Sequence, residues 1–268
     1  MTPEQWRRPR SLMAVLISIV GSYGLLFGPQ AIGSDEDRID YSSGVRITSS
    51  IESSAIPELW RREPISAELM PLASERWDLA SRAIASALRK YPPEIVRQVL
   101  TNVYVVNEMF FYGIPRDGTY HNSSIFVRCG PIWINAHDIE RTFHHEMSSL
   151  FLRSKPEYLD FSAWRALNPH GFKYRQEVDG APERVPSRPI QTERLEQGFL
   201  SPNSTFSLED DFNMLAEHLF SYDPELWSVC SKNEVIEKKL MLVIGVYRLW
   251  SPLFSREYFQ SKAKISLQ

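Results

Sequence analysis

The sequence predicts an α+β domain, because helical and strand-like patterns occupy separate parts of the chain. Apolar residues recur at three- and four-residue steps over residues 73–91, 139–152, 207–220 and 235–250, which is typical of helices that bury one face. Residues 102–134 are instead rich in β-branched and aromatic side chains, which favour strands. Helices on both sides of one strand section predict a small mixed or antiparallel sheet covered by helices.

The N-terminus has the layout of an export signal. Three arginines within the first ten residues precede an uncharged apolar run over residues 12–28, and small residues follow at positions 31–33. The run is slightly long for a signal peptide and slightly short for a membrane span. Residues 1–33 are therefore either a cleaved signal peptide or an uncleaved anchor. Both alternatives predict an extracytoplasmic protein, secreted or periplasmic, that contacts a membrane only through this segment if it is retained.

Residues 34–66 are polar, are interrupted by proline and serine, and show no sustained period. This composition predicts a linker or arm between the leader and the domain. The domain itself would then cover residues 67–268, a length that can bury a full core.

The elements of that domain follow from local signals. The double proline at positions 92 and 93 ends the first helix, and a short second helix follows over residues 94–100. The helix over 139–152 is expected to begin near Asn135 or Asp138 and to end before Pro156. The predicted strands are residues 102–106, 109–112, 124–127 and 132–134, with a hairpin turn at Asp117-Gly118.

The second half of the chain begins with a long irregular segment over residues 158–202, which is rich in proline and glycine. Loops of this length in a folded domain are often functional. Ser207 and the acids that follow it indicate the start of a helix over 207–220. The apolar helix over 235–250 would complete the core.

Charge and cysteine content limit the partners and the redox chemistry. A net charge of −3 without any basic run predicts no nucleic-acid partner. Cys129 and Cys230 are the only cysteines. In an exported protein they either form one disulfide or remain two buried thiols, and their spacing fits no cysteine-based zinc site.

The helix over 139–152 carries the strongest chemical signal. Its core-facing residues include Phe143 and Met147, whereas His145 and Ser149 lie on the opposite face. A His-Glu pair on such a helix is the start of the zinc-protease motif H-E-x-x-H, in which a second histidine stands four residues after the first. Here Ser149 occupies that position.

Together, residues 73–220 resemble the zincin metallopeptidases, in the branch whose third zinc ligand is a glutamate on a later helix. Three stretches carry the resemblance. They are His145-Glu146 after an edge-strand candidate, Trp164 followed by Asn168-Pro169-His170-Gly171-Phe172-Lys173-Tyr174, and Gly198-Phe199-Leu200-Ser201 followed by Glu209-Asp210-Asp211-Phe212.

The resemblance implies a Zn²⁺ site in which His145 is the first ligand and Glu146 is the general base. It implies Asp210 as the acidic ligand, with Glu209 as a close competitor. Ser149 and Met214 depart from the family pattern, at the second ligand and at a supporting acid respectively. His144 is a candidate for the missing ligand although it lies about 100° around the helix. Further candidates are His137, His170 and His218.

Two functions follow from the resemblance. The first is an extracytoplasmic zinc metallopeptidase, or a related metal-dependent hydrolase, that acts on a peptide or protein substrate. The alternative is a catalytically inactive zincin-like protein that uses the same cleft for binding, and Ser149 is the residue that favours it.

Overall fold

A mixed sheet forms one layer of the domain in a computed structural model that describes residues 37–179 and 190–265. These described residues belong to one compact unit. Within the described residues the sheet has seven strands. They are β1 (Asp37–Ile39), β2 (Arg46–Thr48), β3 (Glu68–Pro71), β4 (Asn102–Phe111), β5 (Ile114–Pro115), β6 (Gly118–His121) and β7 (Ser124–Arg128).

The described residues also contain eleven α-helices. They are α1 (Glu58–Arg61), α2 (Ser74–Leu88), α3 (Pro93–Val99), α4 (Ala136–Ser154), α5 (Phe161–Ala166), α6 (Arg175–Asp179), α7 (Thr192–Leu195), α8 (Leu208–Phe220), α9 (Pro224–Cys230), α10 (Glu234–Trp250) and α11 (Arg256–Ile265). The α+β class and the mixed sheet predicted from the sequence are therefore confirmed.

The long strand β4 lies at the centre of the sheet, whose main order is β1-β2-β4-β7-β6. β4 pairs in parallel with β2 and β7, whereas β1 and β6 are antiparallel to their neighbours. β3 and β5 pair with the far end of β4. Because β6 has β7 as its only strand partner in the described sheet, it forms an edge. This edge lies beside α4, where the candidate site is located.

The predicted linker is in fact part of the domain. β2 lies between β1 and β4, and Val45 and Ile47 are completely buried. The Trp60 ring packs edge-on against Phe111 and Phe126. Strands of only three residues are too short to show a period in the sequence, which explains why this prediction was wrong.

The strand section also differs in detail from the prediction. The two strands expected over 102–112 are one continuous strand, β4. Gly118 lies in β6 instead of in a turn, and the hairpin turns at Asn122, whose φ of 49° is left-handed. Ile132 and Trp133 lie in an exposed loop instead of a strand.

The helix boundaries follow the local signals closely. Asn135 caps α4 by accepting from the backbone N–H of Asp138, whose side chain accepts from the Asn135 N–H in return. Ser207 caps α8 in the same manner by accepting from Asp210. The irregular segment after α4 contains α5, α6 and α7 in its described part.

Helix α4 is the centre of the helical layer. It packs against β6 and β7 on one side and against α2 and α8 on others, so every residue from Thr142 to Leu152 is buried. Cys129 and Cys230 are both buried as free thiols, which decides between the two alternatives for the cysteines. No helix in the described part of the chain is long and apolar enough to cross a bilayer, and the predicted leader over residues 1–33 lies outside that part.

Candidate functional site

His145 and Ser149, two of the polar residues of α4 that the sequence singled out, face α8. The Glu217 carboxylate accepts a hydrogen bond from His145 Nδ1 at 2.8 Å, and His145 Nε2 lies 3.7 Å from Asp210 Oδ1. Helix α4 therefore packs on the acidic helix α8, and of the two predicted acids Asp210 is the one that lies beside His145. His145 is only 2% exposed.

The contact continues along both helices as a row of charged groups. Arg141 Nη2 donates to Glu217 Oε1 at 2.5 Å and lies 2.9 Å from His218 Nε2. On its other side, the His218 ring donates from Nδ1 to Asp223 at 2.7 Å. We call this row, Asp210, His145, Glu217, Arg141, His218 and Asp223, the α4–α8 network. Burial raises the pKa of Glu217, but Arg141 and His145 outweigh it and hold that pKa well below its usual range.

The position of the missing second histidine is occupied by a neutral hydrogen-bonded cluster. Asn213 Nδ2 donates to Ser149 Oγ at 2.7 Å, and Ser148 Oγ donates to Asn213 Oδ1 at 2.5 Å. All three side chains are buried. Asn213 therefore satisfies Ser149 across the helix interface, one turn after Asp210.

Glu146, the predicted general base, lies beneath the edge strand. A Cβ atom on Gly118 would come within 2.7 Å of Glu146 Oε1 and of the Thr142 methyl group. Only glycine lets β6 approach α4 this closely. As a result the strand covers the Glu146 side chain, which is 2% exposed.

Glu209 and His144 point away from His145. Glu209 accepts from the Tyr120 hydroxyl at 2.8 Å and from Arg153 Nη2 at 2.7 Å, near the surface. His144 is completely buried, with its Nδ1 2.8 Å from the Tyr91 hydroxyl and its Nε2 3.5 Å from Glu140. The structure therefore does not bring either residue into a common site with His145.

The buried His144 makes stability depend on pH. Burial lowers its pKa to about 4 from an ordinary value near 6.5. Between these values this histidine binds more protons in the unfolded chain than in the folded one, so its contribution to the free energy of unfolding falls by about 3.4 kcal/mol as pH falls from 6.5 to 4. Other buried groups add their own slopes, so the test compares variants with the parent chain. In urea unfolding across this pH range, His144→Gln should remove this contribution from the slope of the parent, whereas the exposed control His137→Gln should keep it. An unchanged slope in His144→Gln would contradict this assignment.

The residues around His145 do not fit a zinc site. Zinc needs at least three protein ligands. Asp210 faces one ring nitrogen of His145, but Glu217 is bonded to the other, and Ser149 is bonded to Asn213. His137 and His170 are exposed on separate segments. Within residues 37–179 and 190–265, no three His, Cys, Asp or Glu side chains are arranged to hold one metal ion.

Most of the other resemblance residues meet at a second buried centre. Asp211 Oδ2 accepts from Lys239 Nζ at 2.7 Å, from the Tyr174 hydroxyl at 3.0 Å and from Trp164 Nε1 at 3.2 Å. Lys239 also donates to the Gly198 carbonyl at 2.9 Å. Burial raises the pKa of Asp211 to about 6, although Lys239 opposes the shift. This centre ties the segment after α4 to α8 and α10.

The sequence reasoning missed the residues that complete the α4–α8 network. Glu217 follows Asp210 by seven residues, which is two helical turns, and Arg141 precedes His145 by four. Both spacings were visible in the sequence and place these residues on the polar faces that meet. Asn213 gave no signal of its own, because an amide within a helix is common.

No protein-family model, curated protein or solved structure matches this chain. The resemblance to zincins therefore stays a prediction that rests on the three sequence stretches.

Proposed function

We propose that this chain is an extracytoplasmic, zincin-like protein that binds a partner without zinc catalysis. The observation that carries the proposal is the hydrogen bond between Asn213 and Ser149, where the zincin pattern has a metal-binding histidine. Both groups are neutral and each satisfies the other, so the position offers no ligand that zinc prefers.

Two further features support this proposal. His145 and Glu146 are each 2% exposed, and β6 lies directly against Glu146 at Gly118, so neither side chain presents a surface to a peptide bond. In addition, the His145 ring already bonds Glu217 and lies beside Asp210, so its orientation is fixed by protein groups alone. The α4–α8 network thus holds the two helices together in the place where a zincin would hold its metal.

A metallopeptidase is the second candidate. The distance of 3.7 Å between His145 Nε2 and Asp210 Oδ1 favours it, because these are the two residues that the zincin pattern assigns as ligands. Glu146 follows His145 directly, as the general base of that mechanism would.

Metal analysis and peptide hydrolysis distinguish these candidates. We expect the purified chain, dialysed with zinc, to retain far less than one equivalent by mass spectrometry. We also expect Glu146→Gln to leave any peptide hydrolysis at the background rate of the exposed control Glu157→Gln. Ser149→His, checked for folding by circular dichroism, should raise zinc affinity because it adds an imidazole one turn from His145. One equivalent of zinc together with hydrolysis that is lost in Glu146→Gln would instead establish the metallopeptidase.

A further inference from the structure

A cavity of about 230 Å³ lies at the N-terminal end of α4, near the start of β6 and the end of β7. It is separate from the buried Ser149–Asn213 cluster, although it reaches Arg141 of the α4–α8 network. The polar and aromatic residues that line it are Asp117, Arg128, Trp133, Asp138, Arg141 and Thr142.

The loop at the rim of the cavity displays two large apolar side chains on a fixed backbone. Ile132 is 88% exposed and Trp133 is 74% exposed. Arg76 holds both ends of the loop by donating to the carbonyls of Cys129 at 2.9 Å and Ile134 at 2.6 Å. Adjacent exposed apolar residues on a pinned loop are typical of a protein-binding surface, in which tryptophan is a frequent anchor.

The charges in the cavity favour a cation. The Arg128 guanidinium already donates to Asp117 at 2.7 Å and to Glu108 at 3.2 Å, and Arg141 donates to Glu217. Asp138 accepts from the backbone of Asn135 and has no ion-pair partner among the described residues. Asp138 is thus the one carboxylate of the lining that has no ion pair among the described residues, and its side chain is exposed at the first turn of α4.

A second polar group in the cavity also lacks a partner. Thr142 lines the cavity and is 9% exposed. Its methyl group faces β6 at Gly118, and its hydroxyl has no hydrogen-bond partner in the part of the chain that the structure describes. The hydroxyl opens onto the cavity, so a donor from outside the chain can reach it and form a hydrogen bond.

The size of the cavity limits the occupant. Pockets for whole small molecules usually have volumes of about 300–1,000 Å³, and this cavity is smaller, at about 230 Å³. That volume suits one long side chain. We propose that the cavity binds a lysine or arginine side chain of a partner polypeptide, with its apolar stem on Trp133 and its charge between Asp138 and the Thr142 hydroxyl. This inference rests on the proposed binding function and names the partner's chemistry.

The indole N–H signal of Trp133 in a ¹H–¹⁵N spectrum of the full chain tests the proposal. Trp133→Phe assigns the signal. The probes are N-acetyl-lysine methylamide and N-acetyl-arginine methylamide, with N-acetyl-norleucine methylamide as an uncharged match for the stem and inorganic phosphate as an anion. We expect the lysine and arginine derivatives to shift the indole signal to saturation, and added salt to weaken their binding. The norleucine derivative and phosphate should cause no saturable shift.

Asp138→Asn keeps a side-chain oxygen that can cap α4 and removes the charge. It should therefore lower the affinity for the lysine and arginine derivatives about twofold to fivefold. Asp160→Asn, at the cap of α5, is the matched control and should change nothing. Equal shifts by norleucine, unchanged affinity in Asp138→Asn, absence of any shift, or saturation by phosphate would each overturn the proposal. Metal analysis tests the proposed function independently of this cavity. A zinc enzyme could still bind the lysine and arginine derivatives here, and a protein without zinc could fail to bind them.

Discussion

Replacing Asp211 by alanine is expected to lower the free energy of unfolding by about 3–5 kcal/mol, because it leaves a buried ammonium group without its counter-charge. Lys239 is 1% exposed, and its nearest anionic atom is Asp211 Oδ2 at 2.7 Å. The same change removes the acceptor for Tyr174 and Trp164. Urea denaturation of the purified variant measures the loss.

A double-mutant cycle separates the ion pair from the rest of this centre. Lys239→Met removes the charge but keeps much of the buried stem. Asp211→Ala should therefore lower the free energy of unfolding much less in a chain that carries Lys239→Met than in the parent chain. Glu209→Ala on the same helix is the control. Its partner Arg153 is largely exposed, so we expect a loss below about 1 kcal/mol. A loss from Asp211→Ala as small as the control would contradict the central role of this pair.

Glu217→Ala is expected to be comparably destabilising, again by about 3–5 kcal/mol, since it leaves the charge of Arg141 without its buried partner. Glu217 is fully buried between Arg141 and His145 and links the two halves of the α4–α8 network. Thermal or urea unfolding gives the magnitude. If zinc held α4 and α8 together in place of this network, chelation would destabilise the parent chain by a similar amount.

Glu217→Gln is the matched variant for this position. It preserves the volume and one acceptor oxygen but removes the charge. The free energy of unfolding of Glu217→Gln should therefore lie between that of the parent chain and that of Glu217→Ala. Unfolding free energies that are equal for all three proteins would show that the network does not hold the helices. The depressed pKa of Glu217 adds a second readout. Stability from this group is present above the ordinary glutamate pKa and is lost as pH falls towards the lower folded value.

The second buried centre gives the residues of the later stretches a structural role. Trp164, Tyr174, Gly198 and Asp211 all belong to stretches that resemble zinc peptidases, yet here they surround Lys239 and fasten the segment after α4. Only His145-Glu146 and Asp210 belong to the catalytic part of the pattern. Resemblance in the fastening residues therefore indicates a fold more directly than it indicates a reaction.

Helices were predictable because their signals are local. Asn135 and Ser207 mark the starts of α4 and α8, and Pro156 marks the end of α4. The short strands β1, β2 and β3 were not predictable, since three or four residues show no reliable period. Ile132 and Trp133 looked like a strand because both residues favour strands, but no neighbouring chain pairs with them.

The sequence by itself determined the α+β class, the main helices and the pairing of an incomplete His-Glu motif with an acidic helix. The tertiary structure alone decided what surrounds those residues. Whether Ser149 leaves a ligand position open depends on Asn213, 64 residues later, and whether Glu146 can reach a substrate depends on how closely Gly118 lets β6 approach. Such contacts join residues that are distant in the chain, and periodicity and capping signals act only over a few turns. The chemistry of the site therefore became readable only when α4, α8 and β6 were seen together.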